Sequence, residues 1–149
     1  MLTYTRSVRL DAPPEPIFRY CTSRHGFACQ FPFDVQWLSE KEYWARGDIL
    51  DFRYRVCGIW LWHRAEIISL EPNQSFTDLM LKGIYRSFRH THQFKSSGGR
   101  TCVTDTVEFT FGLGKMIDRL IGLPTLRRTF KKRHRLLKEW ADYAEDATS

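Results

Sequence analysis

The segment DILDFRYRVCGIWLWHRAEIISL, residues 48–70, limits the possible folds more than any other part of the chain. Its apolar residues recur every second position on both sides of Cys57-Gly58, which is the period of a strand rather than a helix. If those two residues form a hairpin turn, Val56 faces Ile59, Tyr54 faces Leu61, Phe52 faces His63 and Leu50 faces Ala65. The opposite face then pairs Arg55 with Trp60, Arg53 with Trp62 and Asp51 with Arg64. Cation–π and ion pairs of this kind contribute roughly 0.2–1 kcal/mol each. Both faces agree on one register, and the apolar one must be covered by another layer.

The rest of the chain reads as a continuation of the same sheet. LTYTRSVRL alternates, with Leu2, Tyr4, Arg6, Val8 and Leu10 on one face. DAPPEPIFRYC predicts a short helix, with Asp11 available as its cap and proline in its first turn. TSRHGFACQFPFD is turn-rich with room for a second short helix, and VQWLSEKEYW is expected to return as a strand. SFTDLML is a strand that turns at Lys82-Gly83. Beyond it, Phe88, His90, His92 and Phe94 share one face, and TCVTDTVEFTF places Thr101, Val103, Asp105, Val107, Phe109 and Phe111 on another. A turn at Ser97-Gly98, or a loop from Ser96 to Gly99, sets His92 against Val103, His90 against Asp105 and Phe88 against Val107. The last stretch has helical spacing, with Met116, Leu120, Leu123, Phe130, Leu137, Trp140 and Ala144 as its apolar stripe and a kink or restart at Gly122 and Pro124. The layout is α+β in a single domain over residues 1–149: a strand, short helices, about six antiparallel strands and a long terminal helix.

Six polar side chains share the inner face: Arg6, His63, Arg86, His90, His92 and Asp105. A lone buried charge costs several kcal/mol, so these groups either satisfy one another or meet water and a ligand. A cross-strand pair of His90 with Asp105 is the simplest arrangement, and acid–base work by the same two residues is the chemical alternative. Two histidines at i,i+2 can chelate a metal, and Asp105 could serve as a third ligand, but His63 lies two strands away and no H-E-x-x-H run occurs, so no metal is expected. Ser87, Ser96 and Ser97 fall outside the inner face and no G-x-S-x-G elbow is present, which argues against a serine nucleophile.

Four scattered cysteines, Cys21, Cys29, Cys57 and Cys102, form no C-x-x-C pair and are expected to be reduced. The N-terminus lacks a signal-peptide core and no apolar run is long enough to span a bilayer, so a cytoplasmic location is expected. The net charge of +6 is concentrated in RRTFKKRHRLLK, residues 127–138, through Arg127, Arg128, Lys131, Lys132, Arg133, Arg135 and Lys138. That run suits a solvated helix face, or contact with an anionic membrane surface. It lacks the interleaved exposed aromatics of a nucleic-acid groove, and no nucleic-acid partner is expected.

The motifs themselves carry a resemblance. SVRLDAPPEPIF resembles the first strand and helix of the START-like, SRPBCC superfamily, whose helix-grip fold is shared by the major birch pollen allergen and polyketide cyclases. FTDLMLKGIYRSFRHTHQF followed by GGRTCVTDTVEFTFGLG resembles the small bacterial ligand-binding members. The shared pattern falls on Phe76, Asp78, Gly83, Tyr85, Phe88, His90, His92, Phe94, Gly98, Gly99, Thr101, Asp105, Val107 and Phe109. Ile84 stands where proline is frequent and Phe88 where tryptophan is frequent. TLRRTFKKRHRLLKEW is similar to the basic terminal helix of these proteins.

The resemblance implies a seven-stranded antiparallel sheet gripping the terminal helix, with a cavity between them that takes a small hydrophobic molecule such as a lipid, sterol or polyketide. It implies no cofactor and defines no catalytic chemistry. The expected lining is Phe52, Tyr54, Leu61, Leu79, Phe88 and Val107, with Arg6, His63, Arg86, His90, His92 and Asp105 as polar groups. A cyclase or dehydratase that uses His90 and Asp105, and a protein that docks through the basic helix, are the alternatives.

Overall fold

In a computed structural model, residues 1–148 are described, with side chains through residue 144. The chain forms β1 (Leu2–Leu10), α1 (Pro14–Cys21), α2 (Arg24–Gln30), β2 (Asp34–Trp37), β3 (Ile49–Val56), β4 (Ile59–Glu71), β5 (Ser75–Lys82), β6 (Ser87–Ser97) and β7 (Arg100–Thr110). A helical segment follows: α3 (Lys115–Ile117), a π turn over Asp118–Gly122, and α4 (Leu123–Thr148). The seven strands make one antiparallel sheet in the order β1-β7-β6-β5-β4-β3-β2. α4 lies across its inner face. This is the α+β, helix-grip layout that the sequence predicts.

The β3–β4 hairpin has the predicted register throughout, from Ile49↔Glu66 to Val56↔Ile59. Cys57 and Gly58 take φ of 50° and 79°, the left-handed pair that a two-residue turn requires. On the outer face, Arg53 and Arg55 both lie over Trp60, at 5.4 and 5.6 Å. Trp62 instead donates to Asp51 and is covered by Lys82, so the expected Arg53–Trp62 contact is replaced by a diagonal one.

The β6–β7 register differs from the expectation by two residues. The turn falls on Gly98-Gly99, at φ 58° and 79°, and pairs Ser97 with Arg100. Two glycines reach the left-handed region without the steric cost a serine would carry, so the turn settles there. A two-residue shift keeps the inner set intact but changes its partners: His92 faces Asp105, His90 faces Val107 and Phe88 faces Phe109.

Irregularities in β4, between Arg64 and Ala65 and between Ile67 and Ser69, interrupt its register with β5. Bulges of this kind bend a strand and curl its sheet. The sheet and α4 enclose two clusters of buried side chains. One gathers Leu10, Ile17, Leu50, Ile67, Phe76, Phe94, Val103 and Leu137; the other gathers Val107, Phe109, Leu126 and Phe130.

Three local expectations change. Asp11 makes no cap to α1 and pairs with Arg100 at 3.0 Å, while Pro13 takes the cap position. VQWLSEKEYW is a strand only up to Trp37. Met116 and Leu120 are exposed, because the π turn precedes α4 and the inward stripe begins only with Leu123, partly buried, and the buried Leu126. Gly122 sits where an added Cβ would run into the Phe109 ring, so the helical segment packs directly on the sheet there. Asp118 anchors the same end by accepting from the Phe111 amide at 2.8 Å and the Thr110 hydroxyl at 2.7 Å.

Candidate functional site

Between α2, the sheet and the first turns of α4 lies a cavity of ≈ 230 Å³. Aromatic rings dominate its walls: Phe27, Phe31 and Phe33 from α2 and its exit, Phe52 and Tyr54 from β3, Tyr85 and Phe88 around the start of β6, and Phe130 from α4. The alternation of β3 and β4 puts Phe52, Tyr54, Leu61 and His63 on the inner surface, where they face α2 and its exit rather than the centre of α4. The lining runs from buried Phe52 to exposed Ile84 and Thr125, so the cavity extends to the surface. Its deep polar end presents His63, Asp78, His90 and Arg133.

Behind that end the polar groups form one connected network around Asp105, which is fully buried. One carboxylate oxygen of Asp105 meets His90 Nε2 at 2.8 Å and His92 Nδ1 at 2.9 Å. The other meets Arg133 Nε at 3.2 Å and His134 Nε2. Asp78 closes the far side, with its Oδ2 at 3.1 Å from His92 Nε2 and 3.8 Å from His90 Nδ1. The histidine rings lie against each other, centroids 3.6 Å apart, and His92 stacks on Phe76 at 3.8 Å.

Burial and neighbours set the charges. Burial alone would raise the Asp105 pKa, but the Arg133 guanidinium and the bonds from His134, His90 and His92 hold it well below the ordinary carboxylate range. Asp78 is also lowered: burial pushes it up, and the bond from His92 with the neighbouring histidines outweighs that. Arg133 is held charged, since the Asp105 charge outweighs the effect of its burial. Burial and the neighbouring His92 bring His90 down to about 4, against the pull of Asp105. His63 is lowered by burial, partly offset by Asp78.

These directions weigh on the acid–base alternative. A general base works best with a pKa near the operating pH. A neutral imidazole whose conjugate acid titrates at about 4 is a weak proton acceptor, and a carboxylate whose pKa is lowered by surrounding donors is a weak base that stays ionised and so has no proton to give. The arrangement is better suited to holding a polar group than to moving a proton.

Of the twelve predicted site residues, Phe52, Tyr54, Leu61, His63, Phe88 and His90 line the cavity. His92 and Asp105 lie just behind it in the network. Val107 is core, packed with Phe109, Leu126 and Phe130. Leu79 is half-buried on the outer side of β5, because the inner positions of that strand are Phe76 and Asp78. Arg86 is exposed and lies over Gly112. Arg6 borders a separate groove between β1 and α4, with Arg128, Lys131, Lys132, His134 and Arg135.

Sequence reasoning missed Asp78, Arg133, His134 and the phenylalanines of α2 and its exit. Arg133 is the main correction to the basic run: it is 6% exposed and points inward. Arg127, Arg128, Lys131, Lys132, Arg135 and Lys138 are exposed. No helix among the described residues is long and apolar enough to cross a membrane.

Neither a protein-family model nor a curated protein matches the sequence. Solved structures do match. The Chromobacterium violaceum protein CV1439 superposes with a TM-score of 0.78 at 14% identity, covering 95% of this chain and 98% of that one. A START superfamily protein from Mycobacterium smegmatis superposes with a TM-score of 0.71 at 12% identity, covering 95% and 98%. This is the START-like, helix-grip fold. The Zhui aromatase/cyclase from Streptomyces sp. R1128 shares it, with a TM-score of 0.74 at 16% identity over 95% and 93% of the two chains. Within this fold the motif residues divide among three environments. Phe76, Phe94, Val107 and Phe109 are core; Tyr85 and Phe88 line the cavity; Asp78, His90, His92 and Asp105 form the polar network.

Proposed function

We propose that this protein binds a compact, flat, mostly apolar molecule carrying a hydrogen-bond donor at one end. The observation that carries the reading is the cavity itself: eight aromatic residues around ≈ 230 Å³, with the polar groups gathered at its deep end. Aromatic walls favour offset or edge-on contact with a flat ligand. The volume falls below the roughly 300–1,000 Å³ of pockets for drug-sized ligands, which favours a molecule of one or two fused rings over a long-chain lipid.

The donor preference follows from the hydrogen bonds already made. His90 uses Nε2–H toward Asp105, which leaves its Nδ1 as an acceptor beside the Asp78 carboxylate. A ligand hydroxyl would find acceptors at both. Shared fold with an aromatase/cyclase and a START superfamily protein is consistent with a small hydrophobic ligand.

The test uses 2-naphthol as probe and Leu61→Trp as a variant that fills the cavity. Wild-type protein should bind the probe saturably. Leu61→Trp should lose at least about tenfold in affinity, because the indole occupies part of the ≈ 230 Å³ that the probe needs, and its urea midpoint shows whether it remains folded. Equal affinity in a folded variant would place the binding elsewhere.

A further inference from the structure

We propose that Asp78, His90 and His92 form a binding site for a divalent first-row transition-metal ion at the deep end of the cavity. The argument rests on where three donor atoms converge. His90 Nε2–H donates to Asp105 at 2.8 Å, which leaves its Nδ1 with a lone pair. His92 Nδ1 accepts from Arg133 Nη2 at 3.2 Å, and its Nε2–H donates to Asp78 Oδ2 at 3.1 Å. His90 Nδ1 and His92 Nε2 thus both face Asp78 Oδ2, and a metal ion would take the place of the one proton held between His92 and Asp78.

With the ion bound, His92 Nε2 would coordinate it and the ring would carry its proton on Nδ1, 2.9 Å from Asp105 Oδ1, so the exchange is a tautomer shift that leaves the ring neutral.

The distances suit such an ion. Ligand atoms about 2.1 Å from a tetrahedral ion are roughly 3.4 Å apart. Asp78 Oδ2 lies 3.1 Å from His92 Nε2 and 3.8 Å from His90 Nδ1, on either side of that value. Among the described residues, these three form the group of histidine, cysteine and acidic side chains whose donor atoms converge in this way. Two imidazoles and one carboxylate suit zinc, iron, cobalt or nickel rather than magnesium or calcium.

The outer support is also present. A metal-bound histidine characteristically donates its other N–H to a carboxylate, which fixes tautomer and orientation. Here one carboxylate, Asp105, serves both rings and is itself held by Arg133 and His134. Asp78 and His90 line the cavity, so the remaining coordination position opens toward it. An ion there would be completed by water or by the polar atom of a cavity ligand.

The sequence offers Asp105 as a third ligand, but Asp105 meets the opposite nitrogens of the two rings. His63 is two strands away, whereas Asp78 is on the adjacent strand and directly opposite His90.

The experiment titrates the full chain, freed of metal by chelator dialysis, with Co²⁺ and no organic ligand, so that it fails or succeeds separately from the cavity reading. One equivalent should bind with the visible absorption of four- or five-coordinate cobalt and no near-ultraviolet sulfur band. Asp78→Asn should weaken binding by more than the roughly 10–100-fold typical of changes to outer support. His90→Gln provides the same test if Asp78→Asn fails to fold. Absence of a saturable spectrum, or equal affinity in a folded variant, would overturn the proposal. So would a sulfur band lost in Cys29→Ser, since that would put the ion at the exposed pair of Cys29 and His25, 3.6 Å apart.

Discussion

His90 links the cavity to the buried network, and its titration gives the network a pH signature. In an unfolded chain a histidine titrates near 6.5, whereas folded His90 titrates at about 4. As pH falls through this window the unfolded state takes up the proton first, so stability is present above about 6.5 and is lost toward 4. At 1.36 kcal/mol per pKa unit the loss reaches up to about 3 kcal/mol. Asp78 and Asp105, both lowered, add a further loss below the ordinary carboxylate value of 3.8. Urea denaturation of chelator-treated protein should show this slope between pH 6.5 and 4, and His90→Gln should flatten it; parallel slopes would contradict the assignment. At this scale the sequence was partly legible. Parity placed His63, His90, His92 and Asp105 on the inner face because a strand's period is fixed. The same rule puts Phe76 and Asp78 together, and the spacing Leu126, Phe130, Arg133, Leu137 puts Arg133 on the buried stripe of α4. Both signals were obscured by side-chain type, since an aspartate and an arginine in a basic run read as solvent-facing until a partner is identified.

At the level of elements, two contacts decide where α4 crosses the sheet: Asp118 holding the end of β7, and Gly122 against Phe109. Gly122→Ala sets two effects against each other. Helix propensity alone favours alanine by about 1 kcal/mol. A methyl that runs into the Phe109 ring must displace it, and overpacking costs roughly 1–3 kcal/mol. The expected net effect is destabilisation, read as a lower urea midpoint with an unchanged slope; a higher midpoint would mean that the contact is loose. The β3–β4 hairpin was legible because Cys57-Gly58 is bracketed by two faces that each prefer the same register. The β6–β7 hairpin was less so. Its four-residue turn region Ser96–Gly99 allows more than one placement, and only the backbone requirement for two left-handed residues selects Gly98-Gly99. The π turn before α4 had no counterpart in the apolar spacing, so Met116 and Leu120 were assigned to a buried stripe that starts later.

Across the whole molecule, the inner surface of one curved sheet serves two purposes. Where α4 lies on it, Leu126, Phe130, Leu137 and Ala141 fill the space; toward α2 and its exit, the space remains as the aromatic cavity. The cavity's existence was legible through the motif resemblance, but its extent was not, because Phe27, Phe31 and Phe33 come from a turn-rich segment with no strand or helix period to assign them a face. The central claim, that this space and no exposed apolar patch receives the ligand, is tested most directly by intermolecular nuclear Overhauser effects between 2-naphthol and methyl groups of the protein. Contacts to Val56, Leu61 and Leu126, all at the cavity wall, are predicted. Contacts confined to the exposed Leu38, Leu113 and Leu120 would contradict the account.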